Sequence, residues 1–145
     1  MHLILAILLG KLISYLSRTL RIGGGSAAPG LYALKIYPEL AEKLSGHIPQ
    51  NVVITGTNGK TTTARILAHL ARAAGLEIIR NHTGSNLERG IASALLDGVN
   101  LSHPWGGLSR HLGIWELDEF AFNDVTPKLK PDIVVFFKCL PGPTG

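Results

Sequence analysis

An apolar strand that runs into a glycine-bearing turn and a Lys-Thr helix start most constrains how this chain can fold. It covers residues 52–63, Val-Val-Ile-Thr-Gly-Thr-Asn-Gly-Lys-Thr-Thr-Thr. Backbone N–H groups of such a turn, with the N-terminus of the following helix, form a concave phosphate site. Lys60 can place a charge on the β- and γ-phosphates, and Thr61 can offer its hydroxyl to Mg²⁺. The sequence therefore predicts that a nucleoside triphosphate binds to Gly56, Thr57, Asn58, Gly59, Lys60, Thr61 and Thr62.

The match to the general P-loop pattern is incomplete. That pattern places four residues between a first glycine and a Gly-Lys-Ser/Thr sequence, and this chain has Ile54 at the first-glycine position. The flanks fit, because β-branched residues precede the turn and Ile66, Leu67 and Leu70 follow it at helical spacing. The alternative is a Gly-Asn turn without a ligand. Such a turn does not explain a lysine followed by three threonines, so phosphate binding is favoured.

Strand and helix patterns alternate along the chain after residue 50. A helix over 60–74 ends at Gly75 and a strand covers 76–80, and this βαβ unit predicts a parallel sheet. Further helices are predicted over 38–44, 87–96 and 120–128, and further strands over 111–115 and 133–137. The predicted fold class is α/β, an incomplete doubly wound and mostly parallel sheet.

The first twenty residues are the most hydrophobic part of the chain. Seven apolar residues run from Leu3 to Leu9, and Gly10 and Lys11 interrupt them before the roughly 20 residues that a bilayer span needs. No Lys or Arg precedes the run, so a signal peptide fits poorly. An amphipathic helix over 3–21 is predicted, either docked on the core or in peripheral contact with a membrane. Its apolar stripe consists of Leu5, Leu9, Leu12, Ile13, Leu16 and Leu20.

The composition limits the classes of partner. Apolar residues make up 46% and charged residues 17% of the 145 residues, which indicates a globular domain. The net charge of +4 suits an anionic ligand or membrane surface, and the scattered basic residues predict no nucleic acid partner. The single cysteine, Cys139, excludes an internal disulfide and a four-cysteine metal site. The histidines show no metal-ligand spacing.

Polar residues follow the strands at the edge where a parallel sheet binds ligands. Glu116 follows the strand over 111–115 and is the candidate Mg²⁺ ligand beside Thr61, because Mg²⁺ takes oxygen ligands and keeps several waters. A surface carboxylate at a strand end is the alternative, and Asp118 and Glu119 are weaker metal candidates. The loop after the second strand supplies three more candidates, for which turn chemistry is the alternative to ligand contact, namely Asn81, Ser85 and Asn86.

Four segments together resemble a known family. They are Thr55–Thr62, Gly23–Gly30, Asn81–Gly90 and Glu116–Glu119. The first looks like the ATP-binding loop of the Mur ligases and folylpolyglutamate synthetases. All four together resemble the MurT family, the Mur-ligase-like subunits of lipid II isoglutaminyl synthase, from about residue 10 to residue 137.

The resemblance implies a Mur ligase central-domain fold, with ATP and Mg²⁺ as ligands and Glu116 on the metal. It implies that the loop with Asn81, Ser85 and Asn86 faces the γ-phosphate and the acceptor. In this family ATP phosphorylates the α-carboxylate of D-glutamate in the lipid II stem peptide. A GatD-type glutamine amidotransferase then supplies the ammonia that displaces phosphate. The implied location is cytoplasmic, at the inner face of the membrane. The segment Gly23–Gly30 is either a second phosphate or substrate loop or a hinge for the terminal helix.

The chain departs from the family after residue 137. A Pro/Gly-rich tail stands where the family carries an Asn and an Arg-Asp-Gln segment, and the family's zinc ribbon has no counterpart here. We therefore divide the chain into a helix (1–22), a partial ATP-binding domain (23–137) and an atypical tail (138–145). The chain by itself is expected to be inactive. A non-catalytic truncated remnant and another Mur or folylpolyglutamate ligase are the alternatives to a MurT-type enzyme part.

Overall fold

Helices and strands alternate through the computed structural model, which describes residues 2–20, 27–81, 85–102 and 107–138. The helices are α1 (His2–Thr19), α2 (Ala28–Ile36), α3 (Leu40–Ser45), α4 (Lys60–Ala73), α5 (Glu88–Gly98) and α6 (Glu119–Leu129). The strands are β1 (Gln50–Gly56), β2 (Glu77–Arg80), β3 (His111–Leu117) and β4 (Ile133–Phe137). Each element predicted from the sequence is present, with ends that differ by a few residues.

The four strands form one parallel sheet in the order β2-β3-β1-β4. The sheet confirms the predicted α/β class. β1 lies inside it, between β3 and β4, and every residue of β1 after Gln50 is buried. A strand covered on both faces has apolar residues at consecutive positions, as β1 has at Val52, Val53 and Ile54.

Helices cover both faces of the sheet, as in a doubly wound fold. On one face, Val52, Ile54 and Ile114 pack against Ala64 and Ala68 of α4. The other face carries the larger part of the core, to which α1, α2, α3, α5 and α6 contribute. Because side chains alternate along a strand, Ile114 and Glu116 of β3 lie on the same face as α4. The sheet therefore directs Glu116 toward the start of α4.

α1 packs on α2 and α5 through a face on which most residues are small and Ile7 is the large buried one. Ala6, Gly10 and Ser14 are buried there, and a side chain at position 10 would come within 2.5 Å of Leu96. Ser14 Oγ donates a hydrogen bond to Asp97 at 3.0 Å, which ties α1 to the end of α5. Among the helices of the described ranges, α1 alone is long and apolar enough to cross a membrane. In the structure, 17% of α1 is buried in the protein.

The segment Gly23–Gly30 differs from the prediction of a flexible connection. Positions 23–26 lie outside the described residues, but Gly30 belongs to α2, which begins at Ala28. Pro29 is compatible with a helix because it occupies the first turn, where its missing N–H is not needed. The Gly30 N–H donates to Ser93 Oγ of α5 at 2.8 Å. Gly30 therefore serves helix packing in this structure.

The contact between α2 and α5 generates a stability prediction. A Cβ at position 30 would lie 2.0 Å from the carbonyl oxygen of Arg89, which belongs to the backbone and cannot move aside cheaply. We expect Gly30→Ala to destabilise the chain by about 2 kcal/mol or more, as overpacking does. For a domain of this size the melting temperature falls by about 4 °C per kcal/mol.

Gly46→Ala is the matched control, because a Cβ there meets nothing closer than 3.4 Å and the backbone φ of Gly46 is −61°. Thermal unfolding followed by circular dichroism distinguishes the two variants. Equal melting temperatures would contradict the close approach of α2 and α5.

Candidate functional site

Two glycines shape the turn between β1 and α4. Gly56 has φ +126°, and a Cβ on it would lie 2.1 Å from the carbonyl oxygen of Phe137 in β4. Gly59 has φ +88° and precedes the first residue of α4, with open space where a Cβ would be. Both conformations favour glycine. Gly56 therefore lets the chain leave the sheet beside β4, and Gly59 leaves the start of α4 open.

The N-terminus of α4 carries unpaired backbone donors. The first N–H groups of an α-helix have no intrahelical partner, and Gly59 has no side chain to cap them. Thr57, Asn58 and Gly59 are exposed, as is Thr62 in the first turn. Donors at a helix N-terminus attract anions through hydrogen bonds and the helix dipole. The turn can therefore bind a phosphate group.

Glu116 lies under this turn with a fully buried side chain. Its Oε2 accepts a hydrogen bond of 2.6 Å from Thr61 Oγ1. Its Oε1 is buried and has no hydrogen-bond partner among the described residues. An unpartnered buried carboxylate oxygen is costly unless it binds something that the protein itself does not supply. The predicted pairing of Thr61 with Glu116 is thus present as a direct contact.

Lys60 turns back toward the sheet and the start of α6. Its Nζ donates to the carbonyl oxygen of Gly56 and lies 3.6 Å from Asp118 and 3.8 Å from Glu119. The amine is therefore held by one carbonyl and two partly exposed carboxylates. Asp118 and Glu119 were weak metal candidates in the sequence, and the structure brings both to the lysine.

Asn81 is fully buried and bonds to the backbone of β3. Its Oδ1 accepts from the Glu116 N–H, and its Nδ2 donates to the Glu116 carbonyl, both at 2.9 Å. Nδ2 also donates to the carbonyl of Ser85 at 2.9 Å. The amide thus fixes the backbone at Glu116 and the loop that follows β2. Its polar atoms are used inside the protein: the bond to Ser85 corresponds to the turn-chemistry alternative, and the bonds to Glu116 were not predicted from the sequence.

Asn86 and Ser85 lie on the same loop, nearer to α6. The Asn86 carbonyl accepts from the Asp118 N–H at 3.1 Å, and its Nδ2 lies 3.4 Å from Asp118 Oδ1. The Asn86 Oδ1 is buried without a hydrogen-bond partner among the described residues. Ser85 is also buried. The structure thus brings Asn86 beside the carboxylate that faces Lys60. Residues 82–84 of this loop, including His82, lie outside the described residues.

Comparisons with known proteins identify relatives of the chain. No protein-family model matches the chain. The chain is 34% identical over 112 residues to the subunit MurT of lipid II isoglutaminyl synthase (glutamine-hydrolyzing) from Staphylococcus aureus (strain COL), covering 77% of this chain and 24% of that protein. MurT of Streptococcus pneumoniae (strain ATCC BAA-255 / R6) is 27% identical over 115 residues, covering 79% of this chain and 24% of that protein.

The chain is also similar to a relative with a different name and to a solved structure. A UDP-N-acetylmuramoylalanine–D-glutamate ligase of Caulobacter sp. (strain K31) is 34% identical over 93 residues, which cover 64% of this chain and 17% of that protein. The solved structure of MurF from Acinetobacter baumannii superposes with a TM-score of 0.54 at 17% identity, over 74% of this chain and 22% of that chain. The structural likeness shows a shared fold.

The chain belongs to the MurT-like Mur ligases. It spans about a quarter of the length of the MurT relatives, 24% in each of the two described above. The Caulobacter relative is a ligase by name, and the MurT relatives are named as subunits of a synthase. The resemblance predicted from four sequence segments is thus confirmed at the level of the family.

The donor set of this MurT-like chain fits a magnesium ion. Thr61 Oγ1 and Glu116 Oε1 are hard oxygen donors at the same point, and Mg²⁺ prefers few protein oxygens and several waters. No group of three or more His, Cys, Asp or Glu within the described ranges could hold a metal ion. A site with one carboxylate and one hydroxyl therefore suits an ion that arrives with a phosphate ligand.

The Asn81 contacts of the MurT-like site generate a second prediction. Asn81→Ala removes three hydrogen bonds and leaves the Glu116 N–H, the Glu116 carbonyl and the Ser85 carbonyl unpaired in a buried region. We expect a loss of stability of about 2 kcal/mol or more. Urea unfolding measures it.

Asn123→Ala is the control, because Asn123 is exposed on α6. We expect its unfolding midpoint to stay near that of the unmodified chain. An Asn81→Ala variant as stable as the control would show that the amide does not hold Glu116.

Proposed function

We propose that the turn between β1 and α4 binds the phosphates of ATP, with Mg²⁺, as part of a MurT-type ligase. The observation that carries the proposal is the uncapped start of α4 beside a buried Glu116 whose Oε1 has no partner in the described structure. Lys60 would neutralise phosphate charge. Backbone N–H groups from Gly59 to Thr62 would cradle the phosphates, while the Thr57 N–H donates to the Phe137 carbonyl at 3.3 Å.

Thr61 and Glu116 would hold the magnesium ion. When bound, that ion supplies positive charge that stabilises the negative charge of the phosphate groups. The residues of the chain itself position the nucleotide. Asn81 keeps the Glu116 backbone in place through its two hydrogen bonds, and Thr61 orients the carboxylate through Oε2. Phosphoryl transfer depends mainly on such positioning and on charge stabilisation.

The proposed reaction is the amidation of the D-glutamate α-carboxylate in lipid II. ATP would transfer its γ-phosphoryl group to the carboxylate, leaving ADP and an acyl phosphate. Ammonia would then attack the acyl carbon, and phosphate would leave to give D-isoglutamine. A glutamine amidotransferase of the GatD type would supply the ammonia. Support comes from the 34% identity to a protein named as the MurT subunit of lipid II isoglutaminyl synthase.

Addition of D-glutamate to a nucleotide-linked precursor is the second candidate reaction. It is favoured by the ligase of Caulobacter sp. that matches 64% of the chain, against 77% for MurT of Staphylococcus aureus. Both reactions need an activated carboxylate, so the nucleotide site described above serves either one. The larger share of the chain matched by MurT favours the amidation.

A chimera separates the two reactions. The matched segment of Staphylococcus aureus MurT is replaced by the corresponding residues of this chain and combined with its amidotransferase, glutamine, ATP and lipid II. We expect amidated lipid II by mass spectrometry, and none when the grafted segment carries Lys60→Ala. A folded chimera that binds Mg-ATP but forms no amidated lipid II would contradict the MurT-type reaction.

The nucleotide site itself is tested on the 145-residue chain. Lys60→Ala should weaken Mg-ATP binding at least tenfold in isothermal titration calorimetry, because a charge-assisted contact to phosphate contributes about 1.5–3 kcal/mol. Lys43→Ala is the matched control, since Lys43 is exposed on α3, away from the turn. Equal affinities of the two variants would contradict phosphate binding by Lys60.

The metal role of Glu116 has its own test. Glu116→Gln keeps the size of the side chain but replaces a charged oxygen ligand with a neutral amide. We expect the Mg²⁺ concentration that gives half-maximal ATP binding to rise at least tenfold. ATP binding without a divalent ion should stay the same or strengthen. A variant with the metal dependence of the unmodified chain would show that Glu116 is not a metal ligand.

A further inference from the structure

The outer surface of α1 is apolar along its whole length. Seven large apolar side chains of α1 and the following residue are between 45% and 67% exposed: Ile4, Leu5, Leu8, Leu12, Tyr15, Leu16 and Leu20. Ile4, Leu8 and Leu12 follow one another at four-residue spacing, so they form one line along the helix. This surface is called the α1 outer face below.

The polarity of α1 is reversed relative to a helix that faces water. A surface helix normally turns its apolar stripe to the core and its polar residues to solvent. Here the buried face consists of Ala6, Ile7, Gly10 and Ser14. Ser14 and the exposed Arg18 donate hydrogen bonds to Asp97 at 3.0 and 2.8 Å. Lys11 is half-buried, and this burial lowers the pKa of its amine against the opposite effect of Asp97. Most of the large apolar residues of α1 are exposed, whereas Ile7 is buried in the core and Leu3 packs against it.

The cations of α1 and α2 favour a partner surface with negative charge. α1 and α2 together contain Lys11, Arg18 and Lys35 and no acidic residue, and a neighbouring carboxylate, Asp97 of α5, pairs with Arg18. α2 packs against α1, and its exposed Leu31 and Tyr32 add apolar and aromatic surface. Large apolar side chains with a tyrosine and flanking cations are the composition of helices that lie at the interface of an anionic bilayer.

We infer that the α1 outer face docks on the surface of a bilayer that contains anionic lipids. α1 lies along that surface and does not cross it, because crossing would break the Asp97 contacts and the close packing of Gly10 on Leu96. The inference rests in part on the proposed function, whose acceptor is carried by a lipid. Docking would hold the nucleotide site near the membrane where that acceptor resides.

Vesicle binding tests the inference on the whole chain. The purified chain is sedimented with vesicles of phosphatidylcholine alone and of phosphatidylcholine with phosphatidylglycerol. We expect binding to the mixed vesicles at least tenfold stronger than to the neutral ones. The double variant Leu8→Glu with Leu12→Glu should lose binding to mixed vesicles by at least tenfold.

The chain supplies a matched control on α4. Ile66 and Leu70 are exposed, have the same four-residue spacing, and receive the same two glutamates. Ile66→Glu with Leu70→Glu therefore adds the same charge without touching the α1 outer face, and it should bind vesicles like the unmodified chain. Circular dichroism and melting temperature establish that both double variants fold.

Three results would overturn the inference. The first is no binding of the unmodified chain to mixed vesicles, and the second is equal loss of binding in the α1 and α4 double variants. The third is a dimer in solution, by light scattering, that only the α1 double variant converts to a monomer, since a second copy would then cover this face. Lys60→Ala should bind vesicles normally and the α1 double variant should bind Mg-ATP normally, so the membrane inference and the proposed function fail independently.

Discussion

The parallel pairing of β1 with β3 sets the position of every group at the candidate site. It places Ile54 beside Glu116 and Thr55 beside Leu117, so the end of β3 lies next to the turn that leads into α4. Thr61 reaches Glu116 only because β1 ends and α4 begins within four residues, from Gly56 to Lys60. The close approach of Gly56 to Phe137 in β4 fixes the other side of the turn. The positions of the site residues thus depend more on the pairing of the strands than on the sequence of the loop.

The balance of charge at the site explains why a divalent cation belongs to the proposed ligand. Asp118 and Glu119 lie beside the amine of Lys60, and Glu116 bonds to the adjacent Thr61. A nucleoside triphosphate would add further negative charge to three carboxylates, and charges a few ångströms apart repel by several kcal/mol in a partly buried site. Lys60 would also have to leave its carboxylate partners to meet the phosphates. A magnesium ion that arrives with the nucleotide offsets both costs.

Much of the site followed from the sequence because its chemistry is local. The strand, the turn and the helix start are consecutive, and the structure keeps Lys60 and Thr61 where that order predicts. The contact of Thr61 with Glu116 spans 55 residues, and it was predictable because carboxyl ends of parallel strands meet at one edge. The Asn81 hydrogen bonds were not predictable from the sequence. An asparagine after a strand gives the same sequence pattern whether its side chain faces a ligand or the neighbouring backbone. Gly30 was assigned to a loop because a glycine cluster suggests flexibility, whereas its real constraint is the backbone of α5.

The N-terminal helix shows what the spacing of apolar residues along a sequence cannot predict. Helical spacing reveals that one face is apolar and another is not, but it does not say which face meets the protein. In α1 the inward face is chosen by size: Gly10 allows a close approach to Leu96, and Ser14 reaches Asp97. A large side chain in place of Gly10 would hold the helices apart, and one in place of Ser14 would remove the hydrogen bond to Asp97. Of the predicted stripe, Leu5, Leu12, Leu16 and Leu20 are exposed and face away from the core, whereas Leu9 and Ile13 are half-buried. An exposed apolar surface of this kind marks an interaction site.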